Sequence, residues 1–136
     1  MGNESVKLVL DTCAILWAIS KSSELSTKAK NQITDISNEI YVSAISCAEI
    51  ACMSDRNRIE LNTHWKLWFR KYVVEMNDWT VLDLDLQIIE EAYSLPGELH
   101  RDPVDRFLIA TSRLHKAPIV TADRKILDYP HVDSIW

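Results

Sequence analysis

Four acidic side chains stand where a parallel sheet would bring them together. Asp11 directly follows the apolar run 6–10, and Asp123 closely follows another apolar run, while Glu49 and Asp105 are expected in the first turns of helices. Ligands of open α/β sheets bind outside the carboxyl ends of the strands, and carboxylates gathered there repel each other unless a cation neutralises them. The four residues therefore predict a site for a hard divalent cation, Mg²⁺ or Mn²⁺, and metal-assisted phosphodiester chemistry.

Each of these carboxylates also has a purely structural explanation. Asp11 is a candidate helix N-cap, and Ser46, three residues before Glu49, could form a capping box with it. Asp102 and Asp105 lie three residues apart at the start of a predicted helix, where the helix dipole favours negative charge. Because a wholly apolar run follows Asp105, we expect Asp105 to be a ligand and Asp102 to be a helix cap or a supporting group.

The elements that must position these residues alternate along the chain. Apolar runs predict strands at 6–10, 39–42, 80–82, 118–120 and 132–136. Helical periodicity and capping residues predict helices at 14–19, 27–37, 44–53, 62–76, 85–94 and 103–115, with one turn at 124–127. This alternation indicates an α/β fold with a mostly parallel sheet under helices on both faces. With 136 residues and no linker or composition break, the sequence predicts one domain over 1–136.

The charge balance limits the class of function. The chain has 15 basic and 20 acidic residues, a net charge of −5, which disfavours a protein whose whole role is to coat nucleic acid. A nuclease is compatible with this balance, because the carboxylates that hold a metal are part of the acidic count. The candidates for contacts to RNA phosphates are Arg101, Arg106 and Arg124, although an intramolecular partner is favoured for Arg106. His100 is the histidine nearest the site and is expected to orient Asp102.

The cysteines and the apolar runs bear on the compartment. Cys13, Cys47 and Cys52 are an odd number without zinc-site spacing, and each lies in an apolar stretch, so we expect buried, reduced thiols. Reduced thiols are typical of the cytoplasm. The longest apolar run near the start, 14–19, is too short to span a membrane. The sequence therefore predicts a cytoplasmic protein without a membrane segment.

The predicted helix 62–76 carries an unusual number of large apolar side chains on one face. They are Trp65, Trp68, Phe69, Tyr72 and Met76. A base-stacking platform is one explanation, but helical spacing favours packing in the core or in an interface. We expect part of this face to bind a protein partner, because so much aromatic area on one short helix exceeds what burial within one chain usually takes.

The segments that carry the acidic residues form a recognisable series. They are, in chain order, Leu10-Asp11-Thr12, the stretch 42–50, the stretch 95–110 and Val120-Thr121-Ala122-Asp123. In this order they resemble the PIN-domain ribonucleases, above all the VapC toxins of bacterial toxin–antitoxin pairs, over essentially the full length.

The resemblance has specific implications for fold, chemistry and partners. It implies a three-layer α/β/α sandwich with a mostly parallel five-stranded sheet. It implies an endoribonuclease that uses Mg²⁺ or Mn²⁺, with RNA as substrate. It also implies a homodimer and a VapB-type antitoxin whose C-terminal segment covers the active site. The residues it assigns to the site are the acidic quartet Asp11, Glu49, Asp105 and Asp123, with Thr12 supporting Asp11 through its hydroxyl. We also expect Ser46 and Asp102 to be supporting groups.

Three alternatives remain open at this point. A non-catalytic scaffold with the same fold would be expected to have lost carboxylates, and all four are present. A stand-alone RNA-processing nuclease would differ from a toxin only in lacking an antitoxin partner. A phosphatase with Asp11 as its nucleophile would need an acid two positions later, where Cys13 stands, so this alternative is disfavoured.

Overall fold

The computed structural model describes residues 5–99 and 102–136, and a parallel sheet forms its centre. The sheet has five strands, all paired in parallel, in the order β3-β2-β1-β4-β5. The strands are β1 (Lys7–Leu10), β2 (Glu39–Ser43), β3 (Thr80–Leu82), β4 (Ile119–Val120) and β5 (Ser134–Ile135). The predicted α/β class with a five-stranded parallel sheet is confirmed.

Helices connect the strands and cover the sheet. They are α1 (Thr12–Ser20), α2 (Thr27–Thr34), α3 (Ala44–Asp55), α4 (Trp65–Phe69), α5 (Leu86–Ala92), α6 (Pro103–His115) and α7 (Arg124–Leu127). A short 3₁₀ turn, Ser22–Glu24, follows α1, and a π-helical segment, Arg70–Met76, continues α4. In the part of the chain that the structure describes, no helix has the length and apolar character needed to cross a bilayer.

The central strand β1 is buried on both of its faces. Successive side chains of a strand point to opposite faces of the sheet. Leu8 and Leu10 pack in one hydrophobic cluster with Ile50 of α3, whereas Val9 packs in another with Leu108 of α6. Helices therefore cover both faces of the sheet, which gives the three layers that the sequence predicted.

Side-chain caps fix the starts of several helices close to their predicted positions. Asp11 accepts a hydrogen bond from the backbone N–H of Ala14 at 2.7 Å, and Asp102 accepts one from Val104 at 3.0 Å. Helix α2 ends at Thr34 rather than near residue 37. The reason is local, because the Asp35 carboxylate accepts hydrogen bonds from the backbone and the hydroxyl of Ser37 and turns the chain.

The predicted aromatic helix 62–76 differs from the prediction in its start and its winding. It begins at Trp65, capped by His64, and from Arg70 onward it is wound as a π-helix. A π-helix has i→i+5 hydrogen bonds, so residues placed by α-helical spacing drift away from the expected face. Trp68 is buried with 2% of its surface exposed, but Met76 is 65% exposed and does not share the buried face.

The expected burial of the cysteines is wrong. Cys13 and Cys52 are exposed and Cys47 is half-buried, although all three are free thiols as predicted. Residues 14 and 15 of α1 point into the core, so the preceding Cys13 is left on the outer side of the first helical turn. An apolar neighbourhood in sequence therefore did not place these side chains in the core.

Candidate active site

An acidic pocket opens at the carboxyl end of the sheet, beside β1 and β4. The strand order reverses between these two strands, and this is where α/β sheets bind their ligands. The pocket has a volume of about 370 Å³. Its lining includes all four acidic residues that the sequence singled out, together with the supporting Asp102: Asp11, Glu49, Asp102, Asp105 and Asp123.

Four separate elements bring these carboxylates to one place. Asp11 follows β1 directly, and Asp123 precedes α7 just beyond the end of β4. Asp105 lies in the first turn of α6, as expected. Glu49 lies in the second turn of α3 rather than the first, because Ser43 caps this helix and Ala44 begins it. The nearness of the carboxylates is thus a product of the fold, since no two of these four residues are close in sequence.

Asp11 is the most buried of the pocket's carboxylates. It is only 8% exposed, and it accepts hydrogen bonds from the Ala14 backbone at 2.7 Å and from the Thr121 hydroxyl at 2.5 Å. Burial raises the pKa of Asp11 to about 6, and the negative charges of Asp105 and Asp123 add to this rise. The two hydrogen bonds oppose the rise because they favour the charged form. At neutral pH the carboxylate is therefore ionised, at a cost that the site must offset.

Thr121 is a site residue that the sequence reasoning did not single out. Its side chain is fully buried, and its hydroxyl donates to Asp11 and accepts the backbone N–H of Asp123 at 3.0 Å. The contact follows from strand register, because Leu10 is paired with Val120 and the next residues are neighbours. A polar residue directly after a buried strand, two positions before an aspartate, was the available signal.

Thr12 and Ser46 are hydrogen-bonded to each other, which differs from the predicted capping box of Ser46 with Glu49. The Thr12 hydroxyl donates to the Ser46 hydroxyl at 3.1 Å, and both side chains are buried. Because Ser43 is the N-cap of α3, Ser46 lies inside the helix and the capping box with Glu49 is wrong. The hydrogen bond instead ties the start of α1, which Asp11 caps, to the helix that carries Glu49.

Several of the acidic side chains also serve the backbone. Asp102 caps α6, which confirms one of its two predicted roles, and Asp123 caps α7 by accepting the N–H of Lys125 at 2.9 Å. Among the described residues, no three histidine, cysteine, aspartate or glutamate side chains are grouped closely enough to hold one metal ion. The pocket therefore gathers carboxylates without presenting a finished coordination shell.

The Cys13 side chain lines the same pocket. Desolvation of the sulfur raises its pKa to about 11, and the charges of Asp11 and Glu49 add to the effect, although the residue keeps exposed surface. With no metal bound, Cys13 is therefore a neutral thiol at neutral pH, beside five carboxylates in the same lining. The pocket thus offers hard oxygen donors.

Two of the arginines proposed to contact phosphates, Arg106 and Arg124, do not line the pocket. Arg106 donates to the carbonyl of Ala92 at 3.2 Å and lies over the ring of Tyr93, so these contacts of Arg106 are within the chain. Arg124 is exposed and pairs with Asp128 at 2.9 Å. His100 and Arg101 lie outside the described residues. Within the described part of the pocket lining there is no basic side chain.

Comparisons with known proteins agree with this geometry. The PIN-domain family model matches residues 8–132. The chain is 27% identical over 124 residues to Ribonuclease VapC22 of Mycobacterium tuberculosis. The aligned residues cover 91% of this chain and 92% of that protein.

Solved structures of other proteins share this fold. VapBC2 from Rickettsia felis, bound to a DNA fragment from its promoter, has a TM-score of 0.68 at 16% identity and covers 96% of this chain and 98% of that one. A toxin–antitoxin complex from Klebsiella pneumoniae has a TM-score of 0.64 at 16% identity, with coverages of 93% and 96%. At such identities the structures support the fold, and the family match spans most of the chain. This chain therefore belongs to the PIN-domain family.

Proposed function

We propose that this chain is a metal-dependent endoribonuclease and the toxin of a VapBC-type toxin–antitoxin pair. The observation that carries the proposal is the convergence of five carboxylates, from four separate elements, on one pocket at the reversal point of a parallel sheet. The name of the VapC22 relative supports the ribonuclease activity. Hydrolysis of a phosphodiester is a reaction that a pocket of carboxylates suits, provided that a cation neutralises it.

The donor chemistry of the pocket fits Mg²⁺ or Mn²⁺. Both ions prefer carboxylate oxygens, and the neutral Cys13 thiol does not compete for them. We assign Asp11, Glu49, Asp105 and Asp123 as the residues that would hold the ion. A divalent cation bound there would lower the pKa of the attacking water and would neutralise charge on the phosphate.

Neighbouring hydroxyl groups fix the charge and the orientation of these carboxylates. The Thr121 hydroxyl keeps Asp11 ionised near neutral pH and orients the backbone before Asp123. The Thr12–Ser46 hydrogen bond fixes the start of α1 against α3, so that Asp11 and Glu49 both face the acidic pocket. Direct attack by water on the phosphate would leave a 5′-phosphate and a 3′-hydroxyl end.

The partners that we propose are a VapB-like antitoxin and a second copy of this chain, acting in the cytoplasm. One structural neighbour is described as a toxin–antitoxin complex, and another as VapBC2 bound to a DNA fragment. On this chain, an apolar groove between α3, α4 and β3 is lined by Trp65, Phe69 and Trp79, and Leu67 nearby is 63% exposed. Such exposed apolar area is what a protein partner would bury.

The alternatives are weaker on the same observations. A scaffold that had lost catalysis would have no need to keep five carboxylates on one pocket, each raising the cost of ionising the others. A stand-alone RNA-processing nuclease would use the same site, and only the isolation of an antitoxin bound to the chain separates it from a toxin.

The test is cleavage of total cellular RNA by the purified chain with Mn²⁺, with and without EDTA. Asp105→Asn keeps the shape of the side chain and removes one ligand charge, so we expect cleavage to fall by about 100-fold or more. Asp133→Asn is the matched control, because Asp133 is exposed and precedes β5 at the opposite end of the sheet. Asp102→Asn should be milder than Asp105→Asn.

The proposal has a clear contrary result. Cutting that persists in EDTA, or that Asp105→Asn and Asp133→Asn reduce equally, would contradict a metal nuclease at this pocket. If RNA stayed intact and the chain bound no Mn²⁺, the scaffold alternative would replace it.

A further inference from the structure

One wall of the acidic pocket is aromatic. Trp17 lines the pocket together with Cys13, which lies four residues earlier on the same face of α1. One helical turn, about 5.4 Å, separates the two positions along the axis. The indole therefore lines the same pocket as the carboxylates, about one helical turn from Cys13.

Trp17 differs from the other tryptophans in what it packs against. All five tryptophans of the chain are among the described residues. Trp68 and Trp79 are buried, and Trp65 and Trp136 pack against the main hydrophobic cluster. Trp17 is half-buried and belongs to none of the hydrophobic clusters formed by the described residues. Its aromatic neighbour is Trp136, at 5.7 Å between ring centroids and 55° between planes.

The electrostatics of the pocket make an uncharged binding surface useful. The described lining carries five carboxylates and no basic side chain, so among these residues the attraction for a phosphate depends on the bound cation. Single-stranded RNA has a second means of binding, because its unpaired bases stack on aromatic side chains. Such stacking needs no positive charge and works beside a cluster of carboxylates.

We propose that Trp17 is the base-stacking residue of this nuclease and holds an unpaired base of RNA beside the phosphate to be cut. The inference rests on the proposed function and adds to it the site of substrate contact. Trp136 acts as a positioning residue, because its tilted ring limits the orientations open to the Trp17 indole. A stacking wall of this kind selects single-stranded substrates, since a base inside a duplex is already stacked on its neighbours.

The test is a double-mutant cycle between protein and substrate. A short RNA that the chain cleaves at one site is made with a single abasic nucleotide at each position around the cut. For Trp17→Ala on the intact RNA, we expect KM to rise roughly 5- to 100-fold, with kcat within about threefold of wild type. With the RNA that is abasic at one particular position, the wild type should show a similar rise in KM. With that same RNA, Trp17→Ala should raise KM almost no further.

Two variants separate stacking from folding. Trp17→Phe keeps an aromatic face and should recover most of the KM, whereas Trp68→Phe, in the hydrophobic core, should leave KM unchanged. Trp136→Ala should raise KM less than Trp17→Ala does. If Trp17→Ala proves unstable, quenching of tryptophan fluorescence by the intact RNA in EDTA decides the matter, because quenching should be lost in Trp17→Phe and kept in Trp68→Phe.

The outcomes distinguish this inference from the proposed function. If the wild type cleaves RNA but no abasic position masks the Trp17→Ala loss, the stacking role is wrong while the nuclease stands, and Trp17 is a surface for a protein partner. If the wild type cleaves nothing, the nuclease proposal fails. The fluorescence comparison then supports stacking if quenching depends on Trp17 and overturns it if quenching is the same in both variants.

Discussion

The hydroxyl of Thr121 is predicted to stabilise the fold in a way that depends on pH. Thr121→Val keeps the shape of the side chain but removes the donor to Asp11 and the acceptor for the Asp123 backbone N–H. A hydrogen bond to a charged group contributes about 1.5–3 kcal/mol, and a neutral one contributes about 1 kcal/mol. Near pH 8, where Asp11 is ionised, the substitution should therefore lower the free energy of unfolding by about 2–4 kcal/mol.

The sign of the pH dependence follows from the pKa of Asp11. That pKa is raised from 3.8 to about 6, so the contribution of Asp11 to stability is fully present below pH 3.8 and is lost as the pH rises through 6. Loss of the Thr121 bond raises the pKa further and enlarges this loss. Near pH 4.5 Asp11 is mostly protonated and the bond to it is neutral, so Thr121→Val should cost only about 1–2 kcal/mol there.

Urea denaturation in EDTA at pH 8 and pH 4.5 measures both values. Thr121→Ser is the matched control, because it keeps the hydroxyl and loses only a methyl group, and its cost should be the same at both pH values. If Thr121→Val destabilises the protein equally at pH 8 and pH 4.5, the hydroxyl does not act through the charge of Asp11 and the reasoning is refuted.

Two further stability predictions rest on neighbouring contacts. The change that Asp11→Asn makes in the free energy of unfolding of the metal-free protein should be more favourable at pH 8 than at pH 4, by up to about 3 kcal/mol, because the pKa of Asp11 is raised to about 6. Denaturation at the two pH values measures this change, and the same change at both pH values would contradict the prediction. Tyr129→Phe should lower the free energy of unfolding by about 1–2 kcal/mol at any pH from 5 to 8, because the buried hydroxyl donates to the carbonyl of Pro96; an unchanged denaturation midpoint would show that this bond contributes nothing.

Local signals in the sequence were sufficient to predict several parts of the fold and site. The apolar run before Asp11 marks a strand end, and the pair Asp102 and Pro103 marks a helix start, because a capping residue and a proline at the first position act within one turn. The strands alternate with helices, which was enough to predict a parallel sheet. The resemblance to a known family then identified which carboxylates share the site.

Long-range contacts were beyond the reach of that reasoning. Thr121 and Asp11 are 110 residues apart, and Thr12 and Ser46 are 34 apart, so these hydrogen bonds depend on strand order and helix placement. No local pattern states that β1 lies between β2 and β4. The same limit explains Cys13, whose apolar sequence neighbours predicted burial but whose helical turn faces the pocket.

The winding of the aromatic segment shows a second limit. Spacing by 3.6 residues placed Met76 on the same face as Trp68, and the change to π-helical winding at Arg70 moved it into solvent. Amino-acid composition does not predict a change from α-helical to π-helical winding, because both helices accept the same residues. That part of this face binds a protein partner stays a prediction, and Leu67 and Met76 in the same segment are both mostly exposed.

Calorimetric titration of Mn²⁺ into the purified chain tests the central claim most directly. If the carboxylates act together as one metal-binding group, the wild type should bind Mn²⁺ and release heat, and Asp105→Asn should weaken binding by about tenfold or more. Asp133→Asn removes an equal charge from the far end of the sheet and should bind like the wild type. Equal Mn²⁺ affinity in wild type and Asp105→Asn, or no binding by the wild type, would contradict the account.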